Sequence, residues 1–333
     1  MSEQPVSAGA MVRKLLVLAG IAFALTGFRE WNPWATAPTA LALGIGLALL
    51  GLTAFEKEAR KYSRVLIQAS VVLLGFSISL NDVAKAGLTG MVFAAATIAF
   101  VFVLGILLQR VLCTDRQVSS LLTAGTAICG GSAIAATGTV IGASPTAISV
   151  ATAVVFLLNA CGVYAYPAIG RLLELSDTQF GAWAAVGIHD VAGVVAAAKQ
   201  YGDVALTEAT VIKLTRVLWI VPVALVLGRM ARGERTGQRR AGPPVPWFVG
   251  LFLFACLVRT LGEMTLGAEE IAPAAGWLKS IAKCAMTVAL FLIGLGLSRR
   301  ALAEAGWRPV LQGALMWIAV SAGSLLVIRA MVS

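Results

Sequence analysis

Apolar residues run through this chain in long blocks separated by short clusters of charge, proline or glycine. The blocks fall near 13–28, 36–53, 64–80, 88–109, 118–141, 145–170, 179–200, 205–230, 246–262, 274–298 and 307–330. A block of about 20 apolar residues, rising about 1.5 Å per residue as a helix, matches the roughly 30 Å hydrocarbon thickness of a bilayer. Strands crossing the same distance would be about half as long and would alternate in polarity, so the blocks predict helices. The expected fold class is all-α: a polytopic membrane protein of about eleven transmembrane helices. Residues 1–333 then form one integral membrane domain with no soluble domain, and 232–246 is a loop. A signal peptide is the rival reading of the first block, with Ala35-Thr36-Ala37 as a cleavage site, but Pro38 directly after that cut speaks against it.

Composition sharpens the picture. Hydrophobic residues make up 59% of the chain and charged ones 13%, with a mean hydropathy of +0.88, where soluble domains carry about 25% charge. The net charge of +10 comes without a basic stripe interleaved with aromatics, so nucleic acid is not an expected partner. The charge tracks the loops instead. With the N-terminus inside, the cytoplasmic segments hold seventeen Lys and Arg residues and the opposite side six, leaving Lys213, Arg216 and Lys283 within blocks. Lys and Arg accumulate on the cytoplasmic side. The expected location is therefore a bacterial inner membrane, with a cytoplasmic N-terminus, a cytoplasmic 232–246 loop and a periplasmic C-terminus. Five cysteines without CxxC spacing, beside a single histidine, make a metal site unexpected. No cofactor is expected either.

A trace of repetition runs through the chain. Gly75-Phe76-Ser77-Ile78-Ser79 leads on to Ala86-Gly87, and Gly294-Leu295-Gly296-Leu297-Ser298 leads on to Ala305-Gly306 at the same spacing. The two segments lie seven blocks apart and would point in opposite directions, as an inverted-topology repeat requires. Close similarity between Gly/Ala/Leu-rich helices is the bland alternative.

Polar chemistry enters the blocks at three places. Cys129-Gly130-Gly131-Ser132 interrupts the fifth block; paired glycines weaken a helix and Ser132 is a good N-cap, so two half-helices are expected to meet there. The second would offer free backbone N–H groups and a positive dipole end to an anion. Close helix packing through small residues is the competing reading. In the seventh block His189 and Asp190 stand side by side near the midpoint. A carboxylate at that depth costs roughly 2.5–3.5 kcal/mol on insertion scales, and histidine is a natural proton carrier; a structural His-Asp pair is the alternative. The eighth block adds Lys213 and Arg216 on one helical face, and the tenth adds Lys283. These cations outnumber the acids available to oppose them, Asp190 and Glu208, and a bound anion would relieve the surplus. A plain Asp190–Arg216 salt bridge is the competing account.

These residues carry a family resemblance over nearly the whole chain. Ala127-Ile128-Cys129-Gly130-Gly131-Ser132-Ala133, His189-Asp190-Val191-Ala192 with Val194-Val195-Ala196-Ala197, Lys213-Leu214-Thr215-Arg216-Val217 before Pro222, and Leu295-Gly296-Leu297 before Ala305-Gly306 resemble the YeiH family of bacterial membrane proteins, usually labelled sulfate exporters. That family often has Gln where this chain has Gly193, and a hydroxyl residue where it has Gly187. The resemblance implies distant similarity to bile-acid and other carboxylate transporters, whose fold has a panel and a core with crossed, broken helices, and hence an elevator or rocking mechanism.

The reading that unites these features is a secondary transporter exporting a small oxyanion such as sulfate, sulfite or an organosulfonate, coupled to the proton gradient or the membrane potential. Cys129, Gly130, Gly131, Ser132, Lys213, Arg216 and Lys283 are the candidate substrate-binding residues, and His189 and Asp190 the candidate proton carriers. A cation/proton antiporter and an anion channel are the alternatives. An enzyme is not expected, since no nucleophile stands at a recognisable spacing from His189-Asp190. The partners are the anion and the bilayer, and a homodimer is a compatible assembly.

Overall fold

A computed structural model of the chain describes residues 8–28, 32, 34–53, 56–220, 222, 223, 225–227, 247–297, 303 and 305–331. The 232–246 loop and part of the second repeated segment, 298–302 and 304, lie outside the described residues. Thirteen helices are found among the described residues: α1 (Ala8–Leu25), α2 (Ala37–Leu49), α3 (Glu56–Gly75), α4 (Leu80–Leu112), α5 (Arg116–Ala127), α6 (Gly131–Ile141), α7 (Pro145–Leu172), α8 (Asp177–Gly187), α9 (Val191–Tyr201), α10 (Asp203–Leu218), α11 (Trp247–Leu266), α12 (Ala268–Leu295) and α13 (Trp307–Met331). No strand is present among those residues. Most apolar blocks coincide with one helix, but 118–141 coincides with the pair α5 and α6, and 179–200 with the pair α8 and α9. Five helical segments are by themselves long and apolar enough to cross a membrane: 91–112 within α4, α7, α11, α12 and 307–330 of α13.

The chain, read from its sequence as one membrane domain, divides into two compact units, Met1–Ser77 with Phe254–Arg300 and Ile78–Leu253 with Ala301–Ser333. Each is assembled from separated segments, so no linker-like stretch marks the division. In the first unit α12 packs against α1, α2 and α3. Gly44 and Gly294 let the α2 and α12 backbones touch: a Cβ built on Gly294 would stand 2.6 Å from the Leu41 carbonyl oxygen. Such small-residue contact is how apolar helices associate where water gives no drive. Val17, Ala24, Ala40, Val288, Phe291 and Leu295 fill the space around it. The Thr36 considered above as part of a cleavage site is the N-cap of α2, in a reciprocal capping box with Thr39.

In the second unit α10 packs on α8, α9 and α4, while α5 packs on α4 and α7, and α13 lies against α4, α5, α7 and α8. The helix starts are defined by short polar side chains. Asp115 caps α5, Ser144 caps α7, and Ser176 with Gln179 forms a capping box at α8. Aromatic donors then fix α8 to α13: Trp183 Nε1 donates to the Ser321 carbonyl at 2.8 Å and Trp317 Nε1 to the Gly187 carbonyl at 2.9 Å. Tyr166 of α7 bonds the Ser321 hydroxyl.

Candidate functional site

The fifth block is broken where paired glycines predict it, but at a different residue. The N-cap of α6 is Gly130, at φ +66° and ψ −122°, not Ser132. Only glycine takes that conformation without strain, so the chain turns at Gly130, and Ser132 becomes an exposed residue of the first turn of α6. Gly130, having no side chain, supplies no capping bond to this N-terminus. The Cys129 thiol is buried, against Ser132 and the Ala133 N–H.

A second break divides the seventh block. α8 stops at Gly187, Ile188 is extended, and Asp190 opens α9 as its N-cap, its Oδ1 accepting the Gly193 N–H at 2.5 Å. The Asp190 N–H in turn donates to Asn159 Oδ1 of α7 at 3.1 Å. Gly193 makes room for that amide, since a Cβ there would stand 2.7 Å from both of its terminal atoms. The two breaks adjoin: a Cβ built on Gly130 would lie 3.5 Å from the His189 Cβ.

Lys213 and Arg216 of α10 are both buried here, 1% and 0% exposed. Lys213 Nζ donates to the Ile188 carbonyl at 2.7 Å and the Ala185 carbonyl at 3.3 Å, at the C-terminal end of α8. Arg216 donates to the Ala127 carbonyl, the C-terminal end of α5, at 2.5 Å, and to Thr97 Oγ1 of α4 at 2.8 Å. Each cation thus meets the negative end of a half-helix. The Asp190–Arg216 bridge weighed from sequence is not formed: the acid bonds its own helix and the guanidinium bonds Thr97 and a carbonyl. Arg259–Glu263 on α11, at 2.6 Å, is an ion pair elsewhere among the described residues.

Five buried side-chain atoms around the breaks find no hydrogen-bond partner among the described residues: Thr126 Oγ1, His189 Nδ1 and Nε2, Asp190 Oδ2 and Arg216 Nε. A buried polar atom left unsatisfied costs about 1–3 kcal/mol, so five such atoms in one place call for partners that the surrounding side chains do not supply. The N-terminus of α6, with glycine as its N-cap, lies alongside. Among the described residues no three His, Cys, Asp or Glu side chains gather as a metal would require.

The structure therefore brings together Cys129, Gly130, Gly131, His189, Asp190, Lys213 and Arg216, with Ser132 at the edge. Lys283 is half-buried on α12, in the first unit, and Glu208 is half-buried on α10. Sequence reading missed Asn159, Thr97 and Thr126. Asn159 had a visible signal, an amide in the middle of the 145–170 block; the two threonines had none, because hydroxyls are common in apolar helices.

Comparison with known proteins gives a consistent match. The family described as conserved hypothetical protein 698 matches residues 11–313. Among curated relatives, a UPF0324 membrane protein of Porphyromonas gingivalis is 40% identical, covering 93% of this chain and 92% of its own. One from Bdellovibrio bacteriovorus is 39% identical, covering 92% and 93%. A third, from Bacteroides thetaiotaomicron, is 38% identical, covering 90% and 88%. No solved structure matches.

Proposed function

The chain belongs to the UPF0324 family of membrane proteins, in agreement with its YeiH resemblance, and from that premise we propose that it is a secondary transporter of a small oxyanion such as sulfate, sulfite or an organosulfonate. The observation that carries this reading is the pair of adjoining helix breaks with five unpartnered buried polar atoms, beside the positive end of α6 where Gly130 supplies no side-chain cap. A helix N-terminus offers N–H donors and positive potential to an anion, and broken helices meeting near the midplane are a recurrent arrangement in secondary transporters.

In this reading the anion sits at the first turn of α6, by Gly130, Gly131 and Ser132, with the potential of Lys213 and Arg216 behind it. Asp190 occupies the corresponding end of α9, so a second negative charge beside it calls for a proton, which Asp190 or His189 would carry. Coupling to the proton gradient or the membrane potential, and export as the direction, are parts of the proposal. About eleven crossings, the inverted repeat and the contribution of Lys283 belong to the same proposal. A cation/proton antiporter is disfavoured because Lys213 and Arg216 occupy the carbonyl ends that a transported cation would need.

The test is uptake into proteoliposomes of radiolabelled sulfate, sulfite and a small alkanesulfonate, with and without an imposed pH gradient. Saturable flux that responds to the gradient is expected. Non-saturating flux would identify a channel, and Na⁺- or K⁺-driven proton movement without anion flux would identify an antiporter.

A further inference from the structure

The C-terminal end of a half-helix carries a partial negative charge, and its last carbonyls have no partner within the helix. In transporters with discontinuous helices, these ends and the unwound carbonyls beside them are where Na⁺ is coordinated. Among the described residues the two breaks present such ends at α5 and α8, and both are occupied from within. The Lys213 ammonium lies on the Ala185 and Ile188 carbonyls, and the Arg216 guanidinium on the Ala127 carbonyl. Both cations come from one turn of α10, and both are out of contact with solvent at 1% and 0% exposure. His189 and Asp190 Oδ2, also buried, are left unpartnered beside them.

We propose that Lys213 and Arg216 are tethered counter-cations seated where a soluble alkali cation would otherwise bind, making the protein independent of Na⁺ and K⁺. The proposal draws its bearing on coupling from the transporter reading above, while its geometry stands on the hydrogen bonds alone. An ammonium is close in size to K⁺ and donates up to three bonds, so a seat of backbone carbonyls accepts either. The tether removes the entropy of capturing a free ion, and it fixes the charge at the two adjoining breaks. Lys213 and Arg216 are then positioning residues for the two breaks, and they determine which ions the protein ignores.

Thermal unfolding of purified protein in detergent tests this without any transport assay. The wild type should unfold at the same Tm in equimolar sodium, potassium and choline chloride. Lys213→Ala should lose about 5 °C or more, and millimolar ammonium or ethylammonium should restore at least half of that loss, whereas choline should not. Lys213→Arg, which keeps a tethered cation, should remain insensitive to all three salts. If Lys213→Ala does not fold, Arg216→Ala with millimolar guanidinium provides the same comparison at α5. A wild-type Tm raised by sodium over choline would overturn the proposal, as would indifference of the truncated variants to every small cation. Sulfate uptake by the wild type, equal with sodium and with choline outside, is the expected transport result, and uptake that requires sodium would also overturn the proposal. Absence of uptake of any anion together with amine rescue of Lys213→Ala would count against the transporter reading and leave the tethered cations standing.

Discussion

Gly130 holds φ +66° and ψ −122°, a conformation that a side chain opposes at a cost of about 1–3 kcal/mol. Its neighbour Gly131 is already helical, and a Cβ there would meet only the Phe156 ring, at 3.2 and 3.7 Å. Gly130→Ala should therefore lower the Tm clearly and abolish sulfate uptake, whereas Gly131→Ala should stay within about 1 kcal/mol of wild type; thermal unfolding and proteoliposome flux on both variants check this. Asn159 gives a second residue-scale expectation. It accepts the Asp190 N–H at 3.1 Å, so Asn159→Leu leaves that donor buried without a partner and should cost about 1–3 kcal/mol, read as a lower Tm than for a Leu substitution at exposed Ser132. Residue identity revealed the chemistry of Lys213, Arg216, His189 and Asp190 but not their partners. The groups that receive Lys213 and much of Arg216 are backbone carbonyls, which every residue carries, so no side-chain pattern could announce them. That is why a surplus of cations read from sequence becomes, in three dimensions, two cations each matched to a helix end.

At the scale of elements, the hydrophobic blocks located the helices because period and length depend on residue type alone. The α5/α6 break was legible since Gly130-Gly131 weakens a helix wherever it stands. The α8/α9 break was not, because Gly187-Ile188-His189-Asp190 contains no such pair. Asp190 could be read there as an intramembrane charge, and only its Oδ1 accepting the Gly193 N–H, after the extended Ile188, shows it to be a cap. Depth governs how much such a grip contributes. Arg216 donates to the Ala127 carbonyl at 2.5 Å in a buried setting, while Arg329 donates to the Leu173 carbonyl, beyond the C-terminus of α7, at 2.6 Å in an exposed one. Arg216→Gln should destabilise by about 2–3 kcal/mol and Arg329→Gln by no more than about 1 kcal/mol. Tm values of the two variants at low and high salt test the difference, with only the Arg329 effect fading as salt rises.

For the whole molecule, the proposed orientation in the membrane rests on loop charge rather than on any contact. With the N-terminus inside, seventeen Lys and Arg residues fall on the cytoplasmic side and six on the other, the bias expected of a cytoplasmic N-terminus and a periplasmic C-terminus. A fluorescent-protein fusion after Gly242 should glow, and an alkaline-phosphatase fusion at Ser333 should be active; the reverse pattern would refute the orientation. The division into two units was not legible, because each is built from segments far apart in the chain, Met1–Ser77 with Phe254–Arg300 and Ile78–Leu253 with Ala301–Ser333.

Lys213 and Arg216 stand three residues apart on α10 and hold different half-helices, α8 and α5. One turn of a single rod thus fastens both broken helices, and the fastening has kinematic force. A shift of α5 past α8 would strip an ammonium or a guanidinium from its carbonyl at a position buried from solvent. Within the second unit, shear between α5 and α8 is therefore opposed at both ends by bonds from the same turn of α10.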